Sequence, residues 1–401
     1  MEKFVPFLKT VADDLVLKNA ESKDFSKMTV VFPNKRARLF MDKYLLQAYS
    51  EHYNEESPIW SPAYATSSNL LEQFASMFNF KNKIVPDADK VLLIQILYWA
   101  YQKVSNARLA ELDAQGDSDE VPKKILTKSF DEFYFLGEII LNDFDDVDKN
   151  LVDAKSLFRN FKEFKDLETL DYLTEVQIKA VQDFLKRDFN TETALFKGFI
   201  TLWEILGDVY ECFKKKLDEE SLAYSGMLHR RVAERMDMDG LPPQLPDNMR
   251  YVFVGFNALN GCEKKLLKKL SKKMLPDGQP AALFYWDYDI SFFDPSNLDG
   301  AAMRSRRSFR DDAGTFLRVN IGGLSGLSHT ARQEGVLLSL PNELKNNANE
   351  LDSDRTSHDY LSRLADGAHV RVFSASTDTS QAKYVSKFVS DLKERGVRMT
   401  K

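Results

Sequence analysis

Met28-Thr29-Val30-Val31-Phe32 runs directly into Pro33-Asn34-Lys35-Arg36-Ala37-Arg38-Leu39-Phe40. Five residues rich in β-branched and aromatic side chains, stopped by Pro-Asn, describe a buried strand and a turn. From Lys35 to Tyr49 the pattern returns to a helical period. Leu39, Phe40, Tyr44 and Leu45 are expected inward, and Lys35, Arg36, Arg38 and Lys43 outward. A strand feeding a helix whose first turn is basic joins side-chain charge to helix N-terminal N–H groups. That pairing suits a phosphate. It is also well placed, because ligands of parallel sheets bind at the carboxyl ends of the strands.

The same grammar continues on both sides. Upstream, Phe4–Leu17 carries Phe4, Phe7, Leu8, Val11 and Leu15 on one helical face. Downstream, Ile59–Ala65 reads as a strand, and Thr66-Ser67-Ser68 offers capping oxygens to a helix over Asn69–Phe78. Asp87–Val104 is a long apolar helix and Ala114–Glu120 a polar loop. From Phe130 to about Met238 every segment is helical and no strand is expected. Trp203, Leu206, Tyr210, Phe213 and Leu217 form one apolar stripe there. Gly240-Leu241-Pro242-Pro243 breaks the pattern. Strands then resume at Tyr251–Val254, which ends at Gly255, and at Ala281–Trp286, with a Lys-rich helix over Cys262–Met274 between them. Asp287–Gly367 is irregular, and His369–Phe373 with Ser380–Arg395 forms a last strand and helix.

Strands alternating with helices predict an α/β fold, a parallel sheet covered on both faces. The helical block between strands of that sheet is expected to be a subdomain grown from a loop. The divisions expected are residues 1–110 and 246–290 for the sheet, 111–245 for the insert and 291–367 for a variable connection. Residues 368–401 would start a second sheet domain.

Composition narrows the function classes. Of 401 residues 43% are hydrophobic and 29% charged, which excludes disorder as the main state. The net charge of −6 gives no global basic signal, so nucleic acid would have to meet a local patch. Cys212 and Cys262 have neither disulfide-framework nor zinc-ligand spacing, and low cysteine usage fits a cytoplasmic location. The start of the chain lacks the apolar core of a signal peptide. Val91–Tyr101, the longest apolar stretch, is too short to span a bilayer, and no membrane partner is expected.

Motifs for chemistry are mostly missing. No G-x-x-x-x-G-K-[ST] and no G-x-G-x-x-G occurs, and the glycines of Asn320–Gly326 lack the lysine. Pro246-Asp247 followed by Glu263-Lys264-Lys265 matches a PD…E-x-K nuclease pattern formally. That chemistry needs its Glu and Lys on a strand, whereas here they open a helix. The acidic run Asp143, Asp145, Asp146, Asp148 and Asp153 lacks EF-hand spacing and is expected on a solvated helix edge or loop, or equally as a face that meets a basic partner surface. His229 has no nucleophile pattern around it and is expected as a surface or satisfied core histidine. No catalytic residue, metal ligand or cofactor is assigned. Two further basic clusters occur, at Lys264–Lys273 and at Arg304, Arg306, Arg307 and Arg310.

Val30-Val31-Phe32-Pro33-Asn34-Lys35-Arg36-Ala37-Arg38-Leu39-Phe40 resembles the FPN-[KR]-R segment of a Bacteroidetes-type family. Its members are large PD-(D/E)XK nuclease proteins related to the AddB subunit of the AddAB helicase–nuclease. Further stretches similar to that family follow in order. They are Phe135–Glu138 with Leu141–Asp148, Asp171–Thr174, Leu222–Met227, Val252–Leu259 and Phe284–Asp289. The resemblance implies a helicase domain of 1A type with a 1B-type helical insert and the opening of a 2A-type domain. It puts Asn34, Lys35, Arg36 and Arg38 at a motif that contacts the single-stranded DNA backbone. It puts Val252–Asn257 at the Walker B strand. Gly255-Phe256-Asn257 supplies no Asp-Glu pair for Mg²⁺, and the family's nuclease domain is not within these residues. The implied function is a catalytically inactive, DNA-binding helicase-like module of double-strand break repair. Its partners would be a single strand or duplex end and a helicase–nuclease subunit. The alternatives are a protein–protein scaffold and a residual ATPase with an unorthodox phosphate loop.

Overall fold

The structure is a computed structural model. It describes residues 6–19, 24–54, 58–86, 89–116, 119–158, 194–287, 374–394 and 396. Two β-α units carry the fold. Strand β1 (Met28–Phe32) is followed by helix α2 (Ala37–Tyr53), and β2 (Ala63–Thr66) by α3 (Ser67–Met77), with α1 (Phe7–Lys18) ahead of both. A short strand β3 (Lys83–Ile84) then leads into α4 (Lys90–Ala114), α5 (Glu120–Leu126), α6 (Phe130–Lys149) and α7 (Ala154–Leu157). Helix α8 (Ala194–Glu219), strand β4 (Leu222–Ala223) and helix α9 (Ser225–Asp239) complete the helical block. The chain returns through β5 (Arg250–Val254), α10 (Gly261–Ser271) and β6 (Ala282–Tyr285), and α11 (Asp378–Glu394) lies beyond.

The main sheet has the order β2-β1-β5-β6, and every pairing is parallel. Val31 pairs with Ala65 on one side and with Phe253 on the other, so β1 is central. Successive side chains of a strand point to opposite faces, and here both faces are covered. Val30, Phe32, Val252, Val254, Leu283 and Tyr285 join the core under α1 and α2. Val31, Tyr251, Phe253, Ala282 and Phe284 join the core under α3, α10 and the helical block. This is why β1, β5 and β6 are almost uniformly apolar rather than alternating. The two crossover helices, α2 and α10, lie on opposite faces. Connections of one hand that step outward in opposite directions must do so. The direction in which successive strands are added across the sheet therefore switches between β1 and β5.

Several expectations are corrected. Helix α2 begins at Ala37, and its inward face is Met41, Leu45, Ala48 and Tyr49. At about 100° per residue that face excludes Leu39 and Phe40, which are 74% and 54% exposed. Strand β2 begins only at Ala63, because Pro62 before it has no N–H to pair. Helix α4 continues to Ala114. The segment expected to be strand-free contains β4, which pairs in parallel with β3 and ties the ends of the helical block together. The Phe4 end of the first helix, Asp171–Thr174, the Arg304–Arg310 cluster, the glycines at 320–326 and the strand expected at His369–Phe373 lie outside the described residues.

The helical block is held by caps and close approaches. Ser129 and Glu132 form a reciprocal capping box at the start of α6. The α8 stripe is buried at Leu206, Tyr210, Phe213 and Leu217, with Phe144 of α6 edge-on to Tyr210 at 5.1 Å. Two glycines let helix ends touch. A Cβ added at Gly261 would lie 2.7 Å from the Asn150 carbonyl oxygen, and one at Gly226 would strike the Asp145 carbonyl. Neither obstacle is a movable side chain. Gly261→Ala is therefore expected to cost about 1–3 kcal/mol, read as a lower urea midpoint with an unchanged m-value.

Candidate nucleic-acid interface

The carboxyl ends of β1 and β2 carry the loop Pro33–Arg36 and the turn into α3. Asn34 accepts a hydrogen bond through Oδ1 from the Arg36 N–H at 3.1 Å, an Asx turn that bends the chain off the strand and into α2. Thr66 does the same work at the second strand. Its Oγ1 accepts from the Asn69 N–H at 3.2 Å and caps α3. The first turns of two helices thus face one edge of the sheet.

Between them lies a cavity of about 280 Å³. Phe32 and Ala65 form its apolar lining, and Asn34, Lys35, Arg38, Tyr64, Thr66 and Asn69 its polar lining. The Arg38 guanidinium sits 5.2 Å from the Tyr64 ring centroid, and Tyr64 stacks on Phe32 with centroids 6.1 Å apart. Arg38 also reaches Asp42 at 3.8 Å. Burial, and next to it Asp42, push the Tyr64 hydroxyl above its ordinary range, so it stays protonated. The local surface is cationic although the chain as a whole is acidic.

Three of the four site residues expected from the sequence, Asn34, Lys35 and Arg38, meet at this cavity. Arg36 does not line it. It is exposed at the N-cap position of α2, beside the loop. Tyr64, Thr66 and Asn69 were legible only as strand and cap residues. The signal for them is their position: in a parallel sheet, neighbouring strands deliver their carboxyl ends side by side.

The other motifs resolve into structure. The expected Walker B segment, Val252–Asn257, lies at the end of β5, where the Gly255 N–H donates to the Tyr285 carbonyl at 2.8 Å. Gly255 has φ +71°, a Cβ there would meet the Phe7 ring at 3.7 Å, and Phe256 is buried. The residues that follow that strand, Gly255-Phe256-Asn257, bring no carboxylate, and Asn257 is exposed. The formal PD…E-x-K set is dispersed. Glu263 belongs to the capping box of α10 with Asn260 and accepts from Ser67, Lys265 pairs with Asp237 at 2.5 Å, and Asp247 pairs with Lys273 at 3.0 Å. No group of three or more metal-ligating side chains occurs among the described residues.

The acidic run departs most from the expected solvated edge. Asp145 Oδ1 accepts from the Gly226 N–H at 2.6 Å and so caps α9 from another helix. Asp148 is completely buried. It meets Arg230 Nε at 2.5 Å and Lys214 Nζ at 3.1 Å, and it accepts from the hydroxyls of Tyr210 and Tyr224. Burial holds the Lys214 ammonium below its ordinary range, against the pull of Asp148. Cys262 donates to the Asp148 carbonyl at 3.6 Å, and burial pushes its thiol up to about 12, so it is no nucleophile. His229 is a core histidine, 1% exposed, with Ser225 Oγ at 3.4 Å.

No helix among the described residues is long and apolar enough to cross a membrane. The chain matches no protein-family model, and no curated protein matches it.

Proposed function

We propose that this chain is a DNA-binding, helicase-like module without motor or nuclease chemistry of its own, in the manner of an AddB-type subunit. The observation that carries the reading is the convergence of Asn34, Lys35 and Arg38 with Thr66 and Asn69 around one cavity at the carboxyl ends of two parallel strands. Cationic side chains and helix N-termini there offer several donors to phosphate oxygens. Gly255-Phe256-Asn257 after β5, where an Asp-Glu pair would be needed for Mg²⁺, supports an inactive nucleotide site.

The test is a titration of single-stranded and blunt duplex DNA against the chain and against Lys35→Ala/Arg36→Ala. Both side chains are exposed, so the variant keeps its fold. Affinity is expected to fall about tenfold or more. The slope of log K against log salt should be shallower by about 1.4, since each phosphate contact to a single strand contributes about 0.7. Unchanged affinity would remove this surface from the DNA site. The scaffold reading, favoured by the net charge of −6, would gain if the chain bound a protein partner and no DNA.

A further inference from the structure

We infer that the helical block docks a partner protein through a second cavity, between α6 and α8, which receives one arginine side chain of that partner. The inference is independent of the DNA-binding reading. Helices α6 and α8 both rest on α4. They part around a space of about 270 Å³, which Leu157 and Phe158 at the end of α7 complete.

The lining has two parts. Ile140 and Val147 of α6, Leu206 and Trp203 of α8, and Phe158 make the wall apolar, with the Phe158 and Trp203 ring centroids 5.6 Å apart. Asp143 and Asp146 are its only charged side chains, and both are exposed, which places them at the mouth. Three residues apart on one helix, they are neighbours on its surface. Neither makes an ion pair among the described residues, whereas Asp145 and Asp148 of the same helix are paired with Lys149 and Lys214. Burial, and next to it Asp146, raise the Asp143 carboxyl above its ordinary range, and no cation offsets them.

An apolar hollow with two carboxylates at its mouth matches a side chain with an apolar stem and a cationic head. Arginine fits better than lysine, because its planar fork of donors can address two carboxylates at once. The volume is below that of pockets for drug-sized molecules and suits a single side chain.

The surroundings argue for a protein as the source of that side chain. Phe135 and Ile139, 74% and 59% exposed, continue the Asp143 stripe along α6 at four-residue spacing. Phe199, also exposed, lies beside Trp203 on α8 with ring centroids 5.6 Å apart. Exposed apolar side chains around a pocket mark a docking surface, and an anchor that such contacts shield from water carries most of the affinity there. The unpaired carboxylates select a basic partner and reject an acidic one.

A random peptide library selected on the intact chain tests this. The selected peptides are expected to carry an arginine beside apolar residues. Measured by fluorescence anisotropy, their affinity should fall about tenfold or more when the arginine is replaced by citrulline, its neutral analogue. The same loss is expected toward Asp143→Asn/Asp146→Asn. Those carboxylates are exposed and unpaired, so the double variant should keep the parent's urea midpoint, measured alongside. Phe135→Ser/Ile139→Ser should weaken the peptides and leave the binding of acetyl-arginine amide unchanged. Selected peptides that lack a basic residue or bind the Asp143/Asp146 variant equally well would overturn the proposal, as would a library that yields no binder. Acetyl-arginine amide binding as tightly as the peptides would also overturn it, in favour of a free guanidinium compound as the ligand.

Discussion

Asp148→Ala is expected to destabilise the protein by about 3–5 kcal/mol, measured from urea unfolding at neutral pH. The carboxylate has no solvent access and is shared by Arg230, Lys214 and two tyrosine hydroxyls. Removing it leaves the mostly buried Lys214 ammonium without its carboxylate and the Arg230 guanidinium with only Glu234 at 3.7 Å and the Val147 and Val152 carbonyls. The cost comes from those stranded cations more than from the lost bonds. Adding Lys214→Met to Asp148→Ala should therefore recover part of the loss, a non-additivity that independent sites would not show. A loss below about 1 kcal/mol, in the range of exposed ion pairs, would mean that the hub does not hold α6, α8 and α9 together.

Acid should weaken the fold through His229. Burial, and next to it the nearby Lys149, bring its imidazole down to about 4 from an ordinary value of 6.5. The folded chain holds it neutral, while the unfolded chain takes up a proton below about pH 6.5. Stability from this group is complete above that pH and is lost as the pH falls toward 4. At about 1.4 kcal/mol per unit, the loss is about 2 kcal/mol at pH 5. Unfolding free energies from urea titrations at pH 7 and pH 5 should differ by about 2 kcal/mol more in the parent chain than in His229→Leu. An equal shift in both proteins would assign the acid sensitivity to other groups.

Much of the fold was legible in the sequence because buried parallel strands announce themselves. Met28–Phe32, Tyr251–Val254 and the start of the 281–286 run are apolar on both sides for the reason the sheet makes plain: helices cover both faces. Strands β3 and β4 were not legible. Two-residue strands have no period to detect, and Lys83-Ile84 finds Leu222-Ala223 only through the tertiary fold. The outward placement of Leu39 and Phe40 was missed because apolarity alone does not fix which side of a helix faces the core. For the site, Lys35 and Arg38 could be seen from a basic turn after a strand. Tyr64 and Asn69 could not, since their role depends on β2 lying beside β1. The acidic run misled for a related reason. Asp148 is tolerable inside only because Arg230 and Lys214, more than sixty residues away, arrive beside it.

The central claim, that this is a DNA-binding module with no nucleotide-driven step, is tested most directly by equilibrium binding of the chain to a single-stranded oligonucleotide between about 50 and 200 mM salt, with and without ATP and Mg²⁺. The account predicts binding that weakens steeply with salt and is the same in the presence of ATP. No binding at the lowest salt, or an affinity that changes when ATP is added, would contradict it.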